Sequence, residues 1–160
     1  MKYEVKGVWV GYGSQVSAAH FIPSHDRCSR LHGHDYCIDI ELNGKDSGGF
    51  IIDFDLLKSH AREVIYPMDH KVLVPEKQNF VKHRNENGQI IVEYSDKQYS
   101  FPEHDVFFVD SEVTSSEQMS LFLLNRLTDK LVDNKNIHNI EVCLYEGPGQ
   151  GACSSRVLNE

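Results

Sequence analysis

Hydrophobic and polar residues alternate along residues 34–42, where the chain reads HDYCIDIEL. Residues of one face are apolar, namely Tyr36, Ile38, Ile40 and Leu42. Successive side chains of a strand point to opposite faces, so this pattern predicts a strand with one buried face. Residues 2–20 are predicted to form one or two further extended pieces, and the polar stretch 43–49 a turn. The run NIEVCLYE at 139–146 alternates in the same way and predicts the last strand.

Two segments show helical spacing instead. Asp53 stands where an N-cap belongs, and apolar residues at helical intervals follow it up to Pro67, which predicts a helix over about residues 54–66. Two overlapping capping-box patterns occur in TSSEQ at 114–118, just before an apolar stripe. They predict a stronger helix over about residues 116–133.

The run GQIIVEYSDKQYSFP at 88–102 has two β-rich halves around a polar centre and predicts a small hairpin between the helices. Strands, helix, helix and strand in this order predict an α+β fold, with a sheet that carries the helices on one face. No internal repeat or Pro/Gly/Ser-rich linker divides the sequence. We therefore expect one domain over residues 1–160.

The composition of the sequence argues against some classes of binding partner. The chain has 160 residues, 40% of them hydrophobic and 25% charged, as is typical of one ordinary globular domain. Its formal net charge of -8, with Lys and Arg scattered, argues against a nucleic-acid or anionic-membrane partner. No apolar run approaches the roughly 18 to 20 residues of a membrane span, and no apolar targeting segment opens the sequence. Four cysteines without tight disulfide spacing predict a reducing, cytoplasmic environment.

Three histidines are candidate metal ligands. His32 and His34 flank Gly33 at the entrance of the first predicted strand, so their side chains point the same way. His20 ends the preceding extended piece and can return to the same place. His32 and His34 fall on the face predicted to be buried, where bare imidazoles need a partner, and with His20 they would supply three nitrogen ligands suited to Zn²⁺. The other histidines, His25, His60, His83, His104 and His138, are predicted to be ordinary core or surface residues.

Cys28 precedes His32 by four residues in a polar loop. Two roles are open for it: a fourth ligand that closes a structural zinc site, or a reactive thiol beside an open catalytic metal. Cys37 and Cys143 are predicted to be inert packing residues, and the sequence assigns nothing to Cys153.

Several motifs occur together in one order: SAAH, CSRLHGHDY, GFIIDF, MDHKVL, the Ser-Ser-Glu that starts the second helix, and YEGP. In this the sequence resembles the 6-pyruvoyltetrahydropterin synthase family. Cys-x-x-x-His-Gly-His with an upstream His and a downstream Asp-His is most similar to the 6-carboxytetrahydropterin synthase branch, which makes a precursor of 7-deazaguanine nucleosides such as queuosine and archaeosine. Members that make 6-pyruvoyltetrahydropterin have a longer loop before His-Gly-His, and a branch that only cleaves the dihydroneopterin side chain has Glu in place of the Cys.

The resemblance implies a role for each matching residue. The implied ligands of Zn²⁺ are His20, His32 and His34. The implied catalytic residues are Cys28 as general base, Asp69 and His70 as the pair that completes a triad, and Glu146. Glu146 is also the implied anchor of the pterin, because a carboxylate can accept two hydrogen bonds from the amino-pyrimidinone edge. Ser116 and Glu117 match a family segment near the ligand pocket, although helix capping alone would account for them.

The implied reaction converts 7,8-dihydroneopterin triphosphate to 6-carboxy-5,6,7,8-tetrahydropterin, with release of acetaldehyde and triphosphate. Two alternatives stay open: a 6-pyruvoyltetrahydropterin synthase, which only eliminates triphosphate, and a binding module with a structural zinc and no catalysis. Arg27, Arg30 and Lys71 lie near motif residues and are candidates for triphosphate binding, with solvated surface charge as the other interpretation.

The resemblance also implies an architecture, the T-fold of a four-stranded antiparallel sheet with two helices on one face. Subunits of such proteins join their sheets into barrels, commonly as a homohexamer of two stacked trimers, with active sites between subunits. Compared with short members of the family, this chain has an insertion between His70 and Ser115, which we assign to the extra hairpin and expect to lie outside the metal site.

Overall fold

The computed structural model describes residues 8–159. Within that range the chain forms nine strands and two α-helices. The strands are β1 (Val8–His20), β2 (His32–Gly44), β3 (Lys71–Pro75), β4 (Lys82–Glu86), β5 (Gln89–Tyr94), β6 (Lys97–Pro102), β7 (Val106–Val109), β8 (Ile137–Gly147) and β9 (Gln150–Val157). The helices are α1 (Phe54–Ile65) and α2 (Ser116–Leu131), and short 3-10 turns follow α1 and β6. Neither described helix has the length and hydropathy of a membrane span.

The larger sheet has six strands in the order β7-β3-β1-β2-β8-β9. The pairs β1–β2, β2–β8 and β8–β9 are antiparallel, whereas β3 pairs in parallel with both β1 and β7. The expected four-stranded antiparallel sheet is therefore wrong in strand number. Strands β3 and β7 have only five and four residues, mostly apolar, which is too short to show a period, and parallel pairing joins segments that are distant in sequence.

Strands β1 and β2 form a long antiparallel hairpin that pairs from Val8↔Gly44 to His20↔His32. Residues 2–7 of the predicted extended opening lie outside the described residues. Alternate residues of β2 are buried in the core as the sequence predicts, among them Ile38 and Ile40 with no exposed surface. The three candidate ligands lie at the end of this hairpin where the loop of residues 21–31 joins β1 to β2.

Both predicted helices are confirmed, with ends that differ by one or two residues. Asp53 caps α1, since its side chain accepts a hydrogen bond from the Asp55 N–H. Ser115 caps α2 by accepting from the Gln118 N–H. Apolar residues of both helices pack against the same face of the sheet in one core cluster, among them Leu57 of α1 and Leu123 of α2.

Strands β4, β5 and β6 form a second, three-stranded sheet, which contains the predicted hairpin and adds β4 to it. This small sheet has its own apolar cluster: Phe21, Val74, Val81, Ile90, Val92 and Tyr94. Phe21 belongs to the loop that follows β1, and its ring stacks on Tyr94 with 4.4 Å between centroids. The insertion therefore packs against the segment between His20 and His32.

Cys143 and Cys153 lie directly opposite one another on β8 and β9 and form a disulfide. Cys143 is buried, as expected of a packing residue, but it is bonded to Cys153, so the interpretation that the cysteines have no disulfide spacing is wrong. The reason is β9, whose weakly apolar sequence QGACSSRV gives no strand signal but folds back on β8 through a tight turn. Cys28 and Cys37 are free, and Cys37 is exposed rather than packed.

Candidate active and metal site

The pairing of β1 with β2 brings the three candidate histidine ligands together. His20 lies opposite His32, and Ala18 lies opposite His34, so both β2 imidazoles meet the end of β1. One nitrogen of each of the three rings lies within 4.8 Å of the others. The ring centroids are 4.6 to 5.1 Å apart. Spacing of this kind lets three nitrogens contact one ion.

Hydrogen bonds of the far ring nitrogens fix the tautomers of two of these histidines. His20 Nδ1 lies 2.9 Å from the Thr114 carbonyl oxygen, and His32 Nδ1 lies 2.7 Å from the Arg30 carbonyl oxygen. A carbonyl oxygen only accepts, so each Nδ1 carries the proton and each Nε2 presents a lone pair. Burial lowers the pKa of His20 from 6.5 to about 4, so this ring is neutral near pH 7.

The near nitrogens are consequently left without donors. Nε2 of His20 and Nε2 of His32 face each other at 3.1 Å. His34 Nε2 is buried and has no hydrogen-bond partner among the described residues. Lone pairs directed at one another are satisfied by a cation between them, and neutral imidazoles are zinc ligands. The chemistry of this donor set therefore fits a divalent metal.

Glu146 borders the three imidazoles from β8. It continues the inward series of Ile140, Val142 and Leu144, which explains why a carboxylate at the strand end turns toward the histidines. Its Oε1 lies 3.8 Å from His20 Nε2, and its Oε2 lies 3.9 Å from His34 Nε2. Both distances exceed a hydrogen bond, so the carboxylate can still accept from a ligand.

Cys28 lines a cavity that borders the same imidazoles. A cavity of about 320 Å³ is lined by Cys28 together with His20, His32, Ser116, Glu117 and Glu146. The thiol of Cys28 is free and partly buried, and its sulfur is not among the atoms of the three-imidazole cluster. The structure thus brings the candidate base and the candidate substrate contacts to the three-imidazole cluster, and the Cys28 sulfur is not part of that cluster.

Residues that the sequence did not single out also support the site. Cys28 donates its backbone N–H to His25 Nδ1 at 3.0 Å, and Cys28 O accepts from the Ile22 N–H at 2.8 Å. His25 lines the same cavity, so its assignment as an ordinary residue missed this contact. The signal was its position three residues before Cys28, where a side-chain acceptor can close a turn.

The Asp69–His70 pair is formed, but on another side of the cluster. Asp69 Oδ2 lies 2.9 Å from His70 Nδ1, and Asp69 Oδ1 accepts from the Ser17 N–H at 2.9 Å. The Ser17 bond, followed by the bond to His70, lowers the pKa of Asp69. Neighbouring residues can pair here because His70 has a left-handed backbone, with φ of 56°.

Within one chain, His70 does not line the Cys28 cavity. It lines a separate space of about 520 Å³ that also contains His34, Lys71 and Asp105. Lys71 Nζ donates there to the His104 carbonyl oxygen. Arg27 and Arg30 instead line a space of about 330 Å³ with Cys28 and His32, so two of the three cationic candidates adjoin the thiol.

The sequence profile of the 6-pyruvoyl tetrahydropterin synthase family matches residues 12–156. The chain belongs to this family. A protein of Methanocaldococcus jannaschii, provisionally named a 6-carboxy-5,6,7,8-tetrahydropterin synthase, is 32% identical over 99% of this chain and 98% of its own length. The Haemophilus influenzae 6-carboxy-5,6,7,8-tetrahydropterin synthase is 29% identical over 68% of this chain and 74% of its own.

Solved structures give the same answer about the fold. The 6-pyruvoyl tetrahydropterin synthase of Plasmodium vivax is 28% identical to this chain and superimposes with a TM-score of 0.86, over 94% of this chain and 98% of that one. The family resemblance drawn from the sequence motifs is confirmed. The protein is an enzyme of lyase type, a pterin synthase.

Proposed function

We propose that this enzyme is a zinc-dependent 6-carboxy-5,6,7,8-tetrahydropterin synthase, which acts on 7,8-dihydroneopterin triphosphate, releases acetaldehyde and triphosphate, and serves 7-deazaguanine biosynthesis. One observation carries the proposal. The Nε2 lone pairs of His20 and His32 face each other at 3.1 Å, and a free thiol opens onto the same cavity without belonging to the cluster.

His20, His32 and His34 would hold the zinc ion. Zinc supplies Lewis acidity, which favours loss of a proton beside a hydroxyl group of the substrate side chain. Carbonyl oxygens of Thr114 and Arg30 keep two of the imidazoles in the tautomer that ligation requires. Three protein ligands leave room for substrate, as in catalytic rather than structural zinc sites.

Cys28 is the proposed general base, and it would take the proton from a carbon of the side chain. A thiol does this as its thiolate, which cationic neighbours favour. Arg27 and Arg30 supply positive charge in the space next to Cys28. The same two guanidinium groups are suited to bind the triphosphate, since Arg pairs with phosphate oxygens through two parallel hydrogen bonds.

Glu146 is the proposed anchor of the pterin ring. A planar carboxylate can accept two hydrogen bonds from the amino-pyrimidinone edge. Its oxygens lie 3.8 and 3.9 Å from two histidine nitrogens, so a ring held there extends its side chain toward the metal cluster. Ser116 and Glu117 line the same cavity from the start of α2 and are proposed substrate contacts.

His70 is the proposed proton donor and acceptor that completes the reaction, with Asp69 orienting its ring. The pair faces a different space from Cys28, and the His70 side chain is 81% exposed. It is therefore accessible to a neighbouring subunit. We propose a homo-oligomer, a hexamer built as a dimer of trimers, in which the pair serves a site at the subunit boundary.

A 6-pyruvoyltetrahydropterin synthase is the second candidate, because structural neighbours with that name superimpose on this chain over most of its length. The products decide between the two. Incubation of the zinc-loaded protein with 7,8-dihydroneopterin triphosphate, followed by mass spectrometry, should yield 6-carboxytetrahydropterin and acetaldehyde. A pyruvoyl product would favour the second candidate, and glycolaldehyde would indicate side-chain cleavage alone.

Replacement of Cys28 by Ala separates a catalytic site from a structural one. We expect Cys28→Ala to keep its zinc and to lose turnover by at least about 100-fold, the range of general base catalysis. Cys37→Ala is the matched control, because Cys37 is also a free cysteine but lies exposed on β2. Loss of zinc from Cys28→Ala would show that the sulfur is a ligand of a closed site.

A further inference from the structure

The loop that carries Cys28, residues 21–31, contains turns and bends but no helix or strand. The tip of the small sheet contacts it. Tyr94, the last residue of β5, donates its hydroxyl to the Ser29 carbonyl oxygen at 2.6 Å. Lys97, the first residue of β6, donates from Nζ to the same carbonyl and to Ser29 Oγ, both at 3.0 Å. Two side chains from the inserted hairpin thus converge on the residue after Cys28.

Tyr94 is itself held firmly. The residue is 4% exposed, and its ring stacks on Phe21, which is fully buried. Burial raises the pKa of the Tyr94 phenol, so the hydroxyl remains a donor throughout the physiological range. The Lys97 ammonium lies 5.5 Å from the centre of the same ring, within the range of a cation–π contact. The tip of the hairpin is thus packed against the segment that follows β1.

Contacts inside the loop transmit this support to Cys28. Ser29 Oγ donates to the Asp26 carbonyl oxygen at 2.9 Å, and the Ser29 N–H donates to the His25 carbonyl oxygen at 3.1 Å. His25 in turn accepts the N–H of Cys28. A displacement of Ser29 therefore moves the backbone of Cys28, and with it the thiol that opens onto the metal cluster.

We propose that the inserted hairpin β5–β6 clamps the Cys28 loop, and that Tyr94 and Lys97 are positioning residues for the thiol. The proposal rests on the proposed function only where it treats Cys28 as the base. The expectation that the insertion lies apart from the metal site is thereby refined: the small sheet lies outside the imidazole cluster but fixes the segment that joins His20 to His32. Neither residue contacts the cavity, so each acts through Ser29.

Hydrogen–deuterium exchange tests the clamp without substrate. Tyr94→Phe removes one hydroxyl group and keeps the ring. Lys97→Met removes the ammonium group and keeps most of the aliphatic side chain. We expect exchange of the amides of residues 25–31 to rise by about tenfold in each, because a buried or charge-assisted hydrogen bond is lost. Lys82→Met is the matched control, since Lys82 Nζ donates to the Gln78 carbonyl oxygen at 3.1 Å within the insertion. Unchanged exchange in residues 25–31 would overturn the clamp.

Kinetics test the positioning role. With zinc content equal to that of the wild type, Tyr94→Phe and Lys97→Met should lower kcat by about tenfold and leave KM within about twofold, as expected when a reacting group is misplaced and substrate binding is not. Lys97→Arg, which keeps a donor and the charge, should recover most of the loss. Faster loop exchange with wild-type kcat would refute positioning. If the wild-type protein fails to turn over 7,8-dihydroneopterin triphosphate, the proposed function fails, and the exchange data still decide whether the clamp exists.

Discussion

Nε2 of His20 and Nε2 of His32 lie 3.1 Å apart, and the proton of each ring is on the other nitrogen. This arrangement is unfavourable without a cation, because two acceptors face one another in a partly buried space. His34 adds a third nitrogen with no partner among the described residues. The carbonyl groups of Thr114 and Arg30 thus hold two imidazoles in the tautomer that directs a lone pair toward a common point, where a cation would fit.

Removal of one imidazole should weaken zinc binding more than loss of an outer contact would. We expect His34→Gln to lower zinc affinity by more than about 100-fold, since outer contacts alone change metal affinity by about 10- to 100-fold. Competition with a chromogenic chelator measures the affinity. His104→Gln, an exposed histidine in the 3-10 turn after β6, is the control and should bind zinc as the wild type does. Equal affinity in both variants would contradict the three-histidine site.

Asp69 gives a prediction for acid stability. Its pKa lies below the ordinary value of 3.8 because it accepts the Ser17 N–H and pairs with His70. A carboxyl group with a lowered pKa in the folded state stabilises the fold above its unfolded pKa, and this contribution is lost as pH falls through the folded value. In urea titrations, Asp69→Asn should therefore lose less unfolding free energy than the wild type as the pH falls below the ordinary carboxyl pKa of 3.8. Parallel curves would argue against the pair.

Some residues of this site could be predicted from the sequence, and others could not. The spacing of His32 and His34 on a strand is visible in sequence, and Glu146 belongs to an alternating series. Thr114 orients His20 through a carbonyl group, which every residue has, so no side-chain pattern marks it. His25, Tyr94 and Lys97 matter through contacts that only the folded loop creates.

At the scale of elements, the hairpin β8–β9 carries Glu146 and closes one side of the cavity. Its strands approach closely at Gly151, which pairs with Tyr145. A Cβ on Gly151 would lie 2.5 Å from the Leu144 carbonyl oxygen and 2.4 Å from Tyr145 Cδ1. Backbone cannot move aside as a flexible side chain can, so only glycine fits here.

Gly151→Ala should therefore push the two strands apart. We expect a loss of about 1 to 3 kcal/mol of unfolding free energy, the usual cost of overpacking, together with weaker substrate binding. Gly147→Ala is the control in the same hairpin, since a Cβ there meets no atom within 4 Å. Denaturant titration measures both. A Gly151→Ala protein as stable as Gly147→Ala would contradict the close approach.

The helices and the long strand β2 were predictable because each has a pattern in its own local sequence. Asp53 and Ser115 are N-caps in sequence and in structure, and β2 alternates along most of its length. Strands β3, β4, β7 and β9 were not predicted. Strands β3 and β7 depend on parallel partners far away in the chain, β4 is a mostly polar segment, and β9 pairs with β8 because a tight turn joins them.

At the scale of the whole molecule, the chain carries a net charge of -8, and part of it lies on the sheet face opposite the helices. Asp35, Asp39 and Glu41 share that face of β2, and Glu141 of β8 lies directly opposite Glu41. Like charges paired across strands destabilise a sheet. This repulsion is screened by salt.

Glu41→Gln should stabilise the protein by about 0.2 to 1 kcal/mol at low salt. The gain should shrink near 1 M salt, where the Debye length falls to about 3 Å. Thermal unfolding at the two salt concentrations measures the effect. Glu103→Gln makes the same change in net charge in a 3-10 turn outside the sheet and should give a smaller gain. Equal gains would assign the effect to overall charge.

The β1–β2 hairpin has a consequence for how the enzyme is made. Its ligands are near neighbours in sequence, with His20 and His32 only 12 positions apart, so closing their connection costs little chain entropy. The three imidazoles can therefore come together in the nascent chain as soon as the β1–β2 hairpin forms. Thr114, whose carbonyl group orients His20, and Glu146 of β8 are synthesised later. The proposed metal ligands thus assemble before the residue that is proposed to anchor the substrate.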